Sequence, residues 1–69
     1  MTPVEMERRL RITELRLSLA EARIALLTHR AEMAQMEDAW KWRDTFGDEL
    51  SKRVYEREAA LAAEGWEEP

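Results

Sequence analysis

Few residues in this chain could do chemistry. The only histidine, His29, lies three residues before Glu32, so the two share a helix face. An imidazole and a carboxylate at that spacing can hold one side of a metal ion, and repetition about a symmetry axis can complete the shell. The same imidazole could serve as a pH switch. A single HxxE with no second carboxylate motif reads more simply as a half-buried polar residue that fixes helix register. Cysteine is absent, which removes disulfides and thiolate metal sites and fits a reducing compartment. Ser18 and Ser51 have no second histidine to activate them. The sequence also lacks a glycine-rich phosphate loop, a nucleophile elbow and a paired-carboxylate site. No catalytic, cofactor-binding or metal-ligating residue is therefore assigned, no cofactor is expected, and the expectation is that the protein is not an enzyme.

The most concentrated aromatic stretch is Trp40, Trp42 and Phe46. Aromatics near one helix end are costly to leave in water and common in interface hot spots. They read as oligomer core around a bend, or as a dock for a different protein. Nucleic-acid stacking with Lys41 and Arg43 is disfavoured, because Glu37, Asp38, Asp44, Asp48 and Glu49 repel phosphate. Met33 and Met36 read as core filler rather than as an adaptable binding surface.

His29, Met33, Met36 and Trp40 lie along one of two hydrophobic ladders, each with a seven-residue step, while Trp42 and Phe46 form an i,i+4 pair on another side. One contains Ile12, Leu19, Leu26, Met33 and Trp40, flanked by Leu15, Ala22, His29 and Met36. The other contains Leu10, Leu17, Ile24 and Ala31, flanked by Met6, Thr13, Ala20, Leu27 and Ala34. A helix advances about 100° per residue, so a two-residue offset puts the ladders about 200° apart. Such a helix needs neighbours on two sides, and 69 residues can hardly supply both. Chains this short rarely build a core worth more than about 3–5 kcal/mol without staples or oligomerisation.

Helix boundaries follow from local chemistry. Thr2-Pro3-Val4-Glu5 reads as a capping box with Pro3 at the first helical position. Nothing then breaks the helix before Gly47, so a helix over residues 3–46, about 65 Å long, is predicted. Glu5–Arg9, Glu7–Arg11 and Glu37–Lys41 would support it at i,i+4 spacing, as would Glu49–Arg53 in the next segment. Gly47 either ends that helix, with Asp48 capping a second one from Glu49, or is tolerated within it at a cost of about 1 kcal/mol. At the far end Gly65, Trp66 and Leu61 have the spacing of a Schellman stop. The chain divides into a heptad-patterned helix over 1–46, an acidic helix over 47–66 and a short acidic tail over 67–69, all one structural unit.

Charge distinguishes the two ladders. Residues 1–30 carry six arginines against four glutamates, and residues 31–69 carry five basic against eleven acidic groups. With Leu10, Leu17 and Ile24 at heptad position a, Arg9 and Arg16 fall at g, and Glu14 and Glu21 fall at e. A parallel copy pairs Arg9 with Glu14 and Arg16 with Glu21, whereas an antiparallel copy sets arginine against arginine. The Leu10 ladder, with Leu27, is thus an oligomer interface. On the other ladder the parallel pairs would be Arg11 with Arg16 and Glu32 with Glu37, both repulsive. That face, made of Ile12, Leu15, Leu19, Leu26, Met33, Met36 and Trp40, suits the acidic stripe carrying Leu50, Val54 and Leu61. The stripe could fold back at Gly47 or come from a neighbouring chain.

The expected fold class is therefore all-α: one long two-faced helix, a bend or turn near Gly47, and a shorter C-terminal helix, working as a coiled-coil or helical-bundle oligomer. No apolar run approaches the roughly 18 residues a membrane span needs. Met1 to Leu10 lacks a signal peptide's apolar segment. A cytoplasmic protein of a bacterial cell or phage-infected host is expected, in one setting as part of a virion. The partners expected are a second copy and a larger protein, with neither nucleic acid nor membrane. The leading function is structural or assembly. The alternative is a small regulatory or inhibitory protein presenting a helical face, and a basic-helix DNA-binding dimer comes third.

Overall fold

The computed structural model describes residues 2–68; Met1 and Pro69, at the ends of the first segment and the acidic tail, lie outside the described residues. Helix α1 spans Pro3–Ala34, a 3₁₀ turn covers Ala39–Lys41, and helix α2 spans Thr45–Ala63. The order of contacts makes the pair antiparallel: Arg11 near the start of α1 meets Glu64 after α2, while His29 meets Asp44 before α2. The result is an all-α hairpin measuring 55 × 18 × 16 Å.

The start of α1 follows its sequence. The Glu5 amide donates to Thr2 Oγ1 at 3.2 Å, and the Thr2 amide donates to Glu5 Oε2 at 3.4 Å. Pro3 stands at the first helical position, where no amide proton is needed.

The end of α1 does not fall where the sequence suggested. The helix predicted over 3–46 stops at Ala34 with Gln35 as its cap, and no glycine or proline marks the place. The Gln35 amide donates to the Glu32 carbonyl at 3.2 Å and the Met36 amide to the Met33 carbonyl at 3.1 Å, so the last turn tightens before the chain leaves. Gly47 is not the stop, and Asp48 is not the second cap. Asp44 caps α2 by accepting the Gly47 amide at 2.8 Å, which places Gly47 in the first turn. The missing side chain matters there, since a Cβ on Gly47 would come within 2.6 Å of Asp44 Cγ. The physical reason for the early stop is tertiary. A straight helix leaves both ladders in water, whereas turning back covers one of them with the chain's own apolar stripe.

That stripe and the Ile12 ladder form the core. Leu19, Ala22 and Leu26 of α1 and Leu50 and Leu61 of α2 are buried, with Gly47 beside them. Ile12, Leu15, Met33 and Val54 are half-buried at the seam's margins. The stop at the far end has the predicted form. Gly65 adopts φ 79°, the Gly65 amide donates to Ala62 at 3.0 Å, and the Trp66 amide donates to Leu61 at 3.1 Å. Leu61, the least exposed side chain at 1%, anchors this end.

Candidate interaction surface

Folding α2 onto the Ile12 ladder leaves the Leu10 ladder in solvent. Leu10, Leu17, Ile24 and Leu27 are 58%, 61%, 64% and 63% exposed, and Met6 continues the line. Arg9, Glu14, Arg16 and Glu21 flank it and are exposed as well. The structure therefore gives the two ladders different fates within one chain. Of the residues assigned to the covered face, it brings Ile12, Leu15, Leu19, Leu26, Met33, Leu50, Val54 and Leu61 together. It does not bring Trp40 and Met36 there. Trp40 lies in the 3₁₀ turn and is 80% exposed, with Lys41 Nζ 5.5 Å from its ring centre, and Met36 follows the end of α1. Both fall beyond the last covered turn because α1 ends at Ala34.

Arginines of α1 hold the C-terminal end of α2. Arg8 donates to the Glu64 carbonyl at 2.6 Å, where the helix dipole leaves partial negative charge. Arg11 pairs with the Glu64 carboxylate at 3.0 Å, and Arg23 bridges Glu68 at 2.5 Å and Glu58 at 3.5 Å. The hydrogen bond and charge of Glu64 hold the Arg11 guanidinium above its ordinary pKa. The Arg23 contact, chiefly its hydrogen bond, holds the Glu68 carboxyl below the usual range. Arg11 thus pairs across the hairpin with Glu64 instead of with Glu7, its expected local partner. Among the described residues, the i,i+4 ion pair within 4.0 Å is Lys52–Glu56, not Glu5–Arg9, Glu7–Arg11, Glu37–Lys41 or Glu49–Arg53.

His29 has a structural partner. Its Nε2 donates to Asp44 Oδ1 at 2.7 Å, and its ring meets Phe46 edge-on at 4.9 Å. The Asp44 carboxyl lies below its ordinary pKa, first because of the His29 hydrogen bond and then because of the Gly47 amide. Glu32, which shares a helix face with His29 in sequence, is exposed, and among the described residues no three metal-binding side chains converge. His29 thus works here as a clip on the connection. On the seam, Arg57 donates to Ser18 Oγ at 2.6 Å.

No protein-family model, curated protein or solved structure matches this chain.

An open groove runs beside Leu17, lined by Thr13, Arg16, Leu17, Leu19, Ala20 and Arg23 of α1 and by Trp66 and Glu68 beyond α2. Its outer wall is the C-terminal tail, which crosses back over α1 after the Gly65 turn. The Arg16 guanidinium stacks 5.2 Å from the Trp66 ring centre. Trp66 and Glu68 are thus surface residues that heptad reading missed. The available signal was an aromatic and a carboxylate just after a Schellman glycine, facing an arginine stripe of opposite charge.

Proposed function

We propose that this protein is a non-enzymatic assembly element that works through helix–helix packing. Helix α1 offers its Leu10 face to another helix, and α2 stiffens it from behind. One observation carries this reading: a line of large apolar side chains, each more than half exposed, runs along a helix of 32 residues opposite its buried face. An aligned row of exposed large apolar side chains supports an interaction site, since exposed apolar patches are where partners bind. Burial of several leucine-sized side chains, at about 1.5–3 kcal/mol each, would supply the affinity. The flanking charges would choose the orientation. A second copy is the first partner in view and a larger protein the second. The setting that suits such a brace is a bacterial or phage particle, in the cytoplasm or inside a virion. Among the described residues no helix is long and apolar enough to cross a membrane.

Sedimentation equilibrium with circular dichroism over a concentration series tests this. A defined, concentration-dependent homo-oligomer is expected, and a folded monomer at every concentration removes the homotypic reading.

A regulatory protein presenting a helical face is the second reading, favoured by the exposed Trp40, Trp42 and Phe46 on the hairpin tip. It predicts one target bound at low stoichiometry, not a brace present in many copies. DNA binding ranks lower, because Arg11 and Arg23 are engaged with carboxylates and Arg8 with a carbonyl. Retardation of DNA at low salt would restore it.

A further inference from the structure

We infer that the groove beside Leu17 is a preformed hole for Leu17 of a second copy, in a parallel, in-register pair. The inference rests on the assembly reading and adds to it a register, an orientation and a role for the tail. In a coiled coil each knob enters a hole formed by four residues of the facing helix. For a knob at position a of a parallel pair, those four are the preceding d and g residues, the a residue itself and the following d. With Leu17 at a, they are Thr13, Arg16, Leu17 and Ala20. All four line the groove already present in the single hairpin.

Their chemistry suits the role. Thr13 and Ala20 are small, so they leave room for a leucine. Thr13 Oγ1 donates to the Arg9 carbonyl at 2.9 Å, so a neighbour can cover the hydroxyl without depriving it of a partner. The Arg16 guanidinium lies over the Trp66 ring, 5.2 Å from its centre, and with five N–H donors it can also reach a carboxylate. In a parallel pair Arg16 meets Glu21 of the second copy, and Arg9 meets Glu14 one heptad earlier. In an antiparallel pair the same positions bring arginine to arginine. Trp66 and Glu68 raise the outer wall of the hole, so the tail becomes part of the contact. Arg23, held by Glu58 and Glu68, keeps that wall against α1.

The chain has no cysteine, so single cysteines report orientation directly. Met6→Cys and Leu27→Cys each place a thiol at an exposed d position, 53% and 63% exposed in the parent side chains. Under mild oxidation each variant alone should form a disulfide dimer, and a mixture with one partner mass-tagged should give little mixed species. A mixture that cross-links only Met6→Cys to Leu27→Cys reveals an antiparallel pair and overturns the inference while leaving the assembly reading intact. A wild-type monomer in sedimentation equilibrium overturns the inference together with the homotypic form of the assembly reading. Filling the hole is the second arm. Ala20→Trp should keep the helical circular dichroism spectrum and weaken association at least tenfold. Unchanged association with a folded hairpin means the hole is not used.

Discussion

Asp44 Oδ1 accepts from His29 Nε2 at 2.7 Å, and the same oxygen accepts the Gly47 amide at 2.8 Å. One carboxylate oxygen therefore ties the last third of α1 to the first turn of α2. It caps the second helix and fixes where the chain turns back. Because the cap and the clip share an atom, a change to either should be felt by the other.

Gly47 tests that coupling. Replacing glycine by alanine inside a helix ordinarily stabilises it by about 1 kcal/mol. Here the added Cβ would collide with the Asp44 carboxylate, so Gly47→Ala should lower the melting temperature. In an Asp44→Ala background nothing remains to collide with, and the same change should raise it. A double-mutant cycle followed by circular dichroism reads the sign reversal directly. Equal effects in both backgrounds would mean the carboxylate is not held over Gly47.

Acid should loosen the hairpin. Asp44 and Glu68 lie below their ordinary pKa values in the folded chain, through hydrogen bonds from His29 and the Gly47 amide and from Arg23 respectively. In the unfolded chain they titrate near the usual values of about 3.9 and 4.3. Between the unfolded and folded values the unfolded state holds more protons, so stability rises with pH there. The contribution is full above that window and lost as pH falls through the folded values. Arg11 and Arg23 are shifted upward, so their share persists until strongly alkaline pH. Urea titrations between pH 7 and pH 2 at fixed ionic strength should show the acid loss. Asp44→Asn should flatten it while lowering stability at neutral pH.

The sequence made the two outer helix ends and the partition of the ladders legible, but it set the end of α1 and the start of α2 too late. Thr2 and Glu5 found each other across a single helical turn, and so did Leu61, Gly65 and Trp66, because those contacts are local. The acidic stripe carrying Leu50 and Leu61 could be matched to the Ile12 ladder because charge and period both pointed there. The stop at Ala34 accompanies a contact between His29 and Asp44, fifteen residues apart, and no local residue announces it. Propensity then favoured continuing, and tertiary burial overrode it. The groove was hidden for a similar reason: its outer wall is sequence-distant tail.

The Schellman glycine should tolerate substitution poorly. Gly65 sits at φ 79°, where a Cβ costs about 1–2 kcal/mol, and that Cβ would also stand 3.1 Å from an Arg8 guanidinium nitrogen. Gly65→Ala should shift the urea midpoint by a corresponding amount with little change in slope. Gly65→Asn should cost less, since asparagine visits this region more readily. An alanine variant as stable as the parent would show that the tail need not turn at this residue.

The aromatic tip should be dispensable for the fold. Trp40 is 80% and Trp42 63% exposed, so Trp40→Ala should change stability by no more than about 0.5 kcal/mol. Acrylamide should quench Trp40 and Trp42 more readily than the half-buried Trp66, as compared in single-tryptophan variants. A large stability loss at Trp40 would place it in a core that the hairpin does not have.

Leu17 and Leu19, two residues apart, separate folding from association. Leu19 is 3% exposed at the seam with α2, whereas Leu17 is 61% exposed on the opposite side. Leu19→Asp would bury a carboxylate without a partner, a cost of several kcal/mol that a hairpin this small cannot absorb, so its helical signal should collapse. Leu17→Asp leaves that seam untouched and should keep the helical signal in dilute solution. What it should lose is self-association, read by sedimentation equilibrium at rising concentration. If both variants unfold at concentrations where the wild type is monomeric, the two ladders belong to one continuous core. If Leu17→Asp associates as the wild type does, the exposed face is not where copies meet.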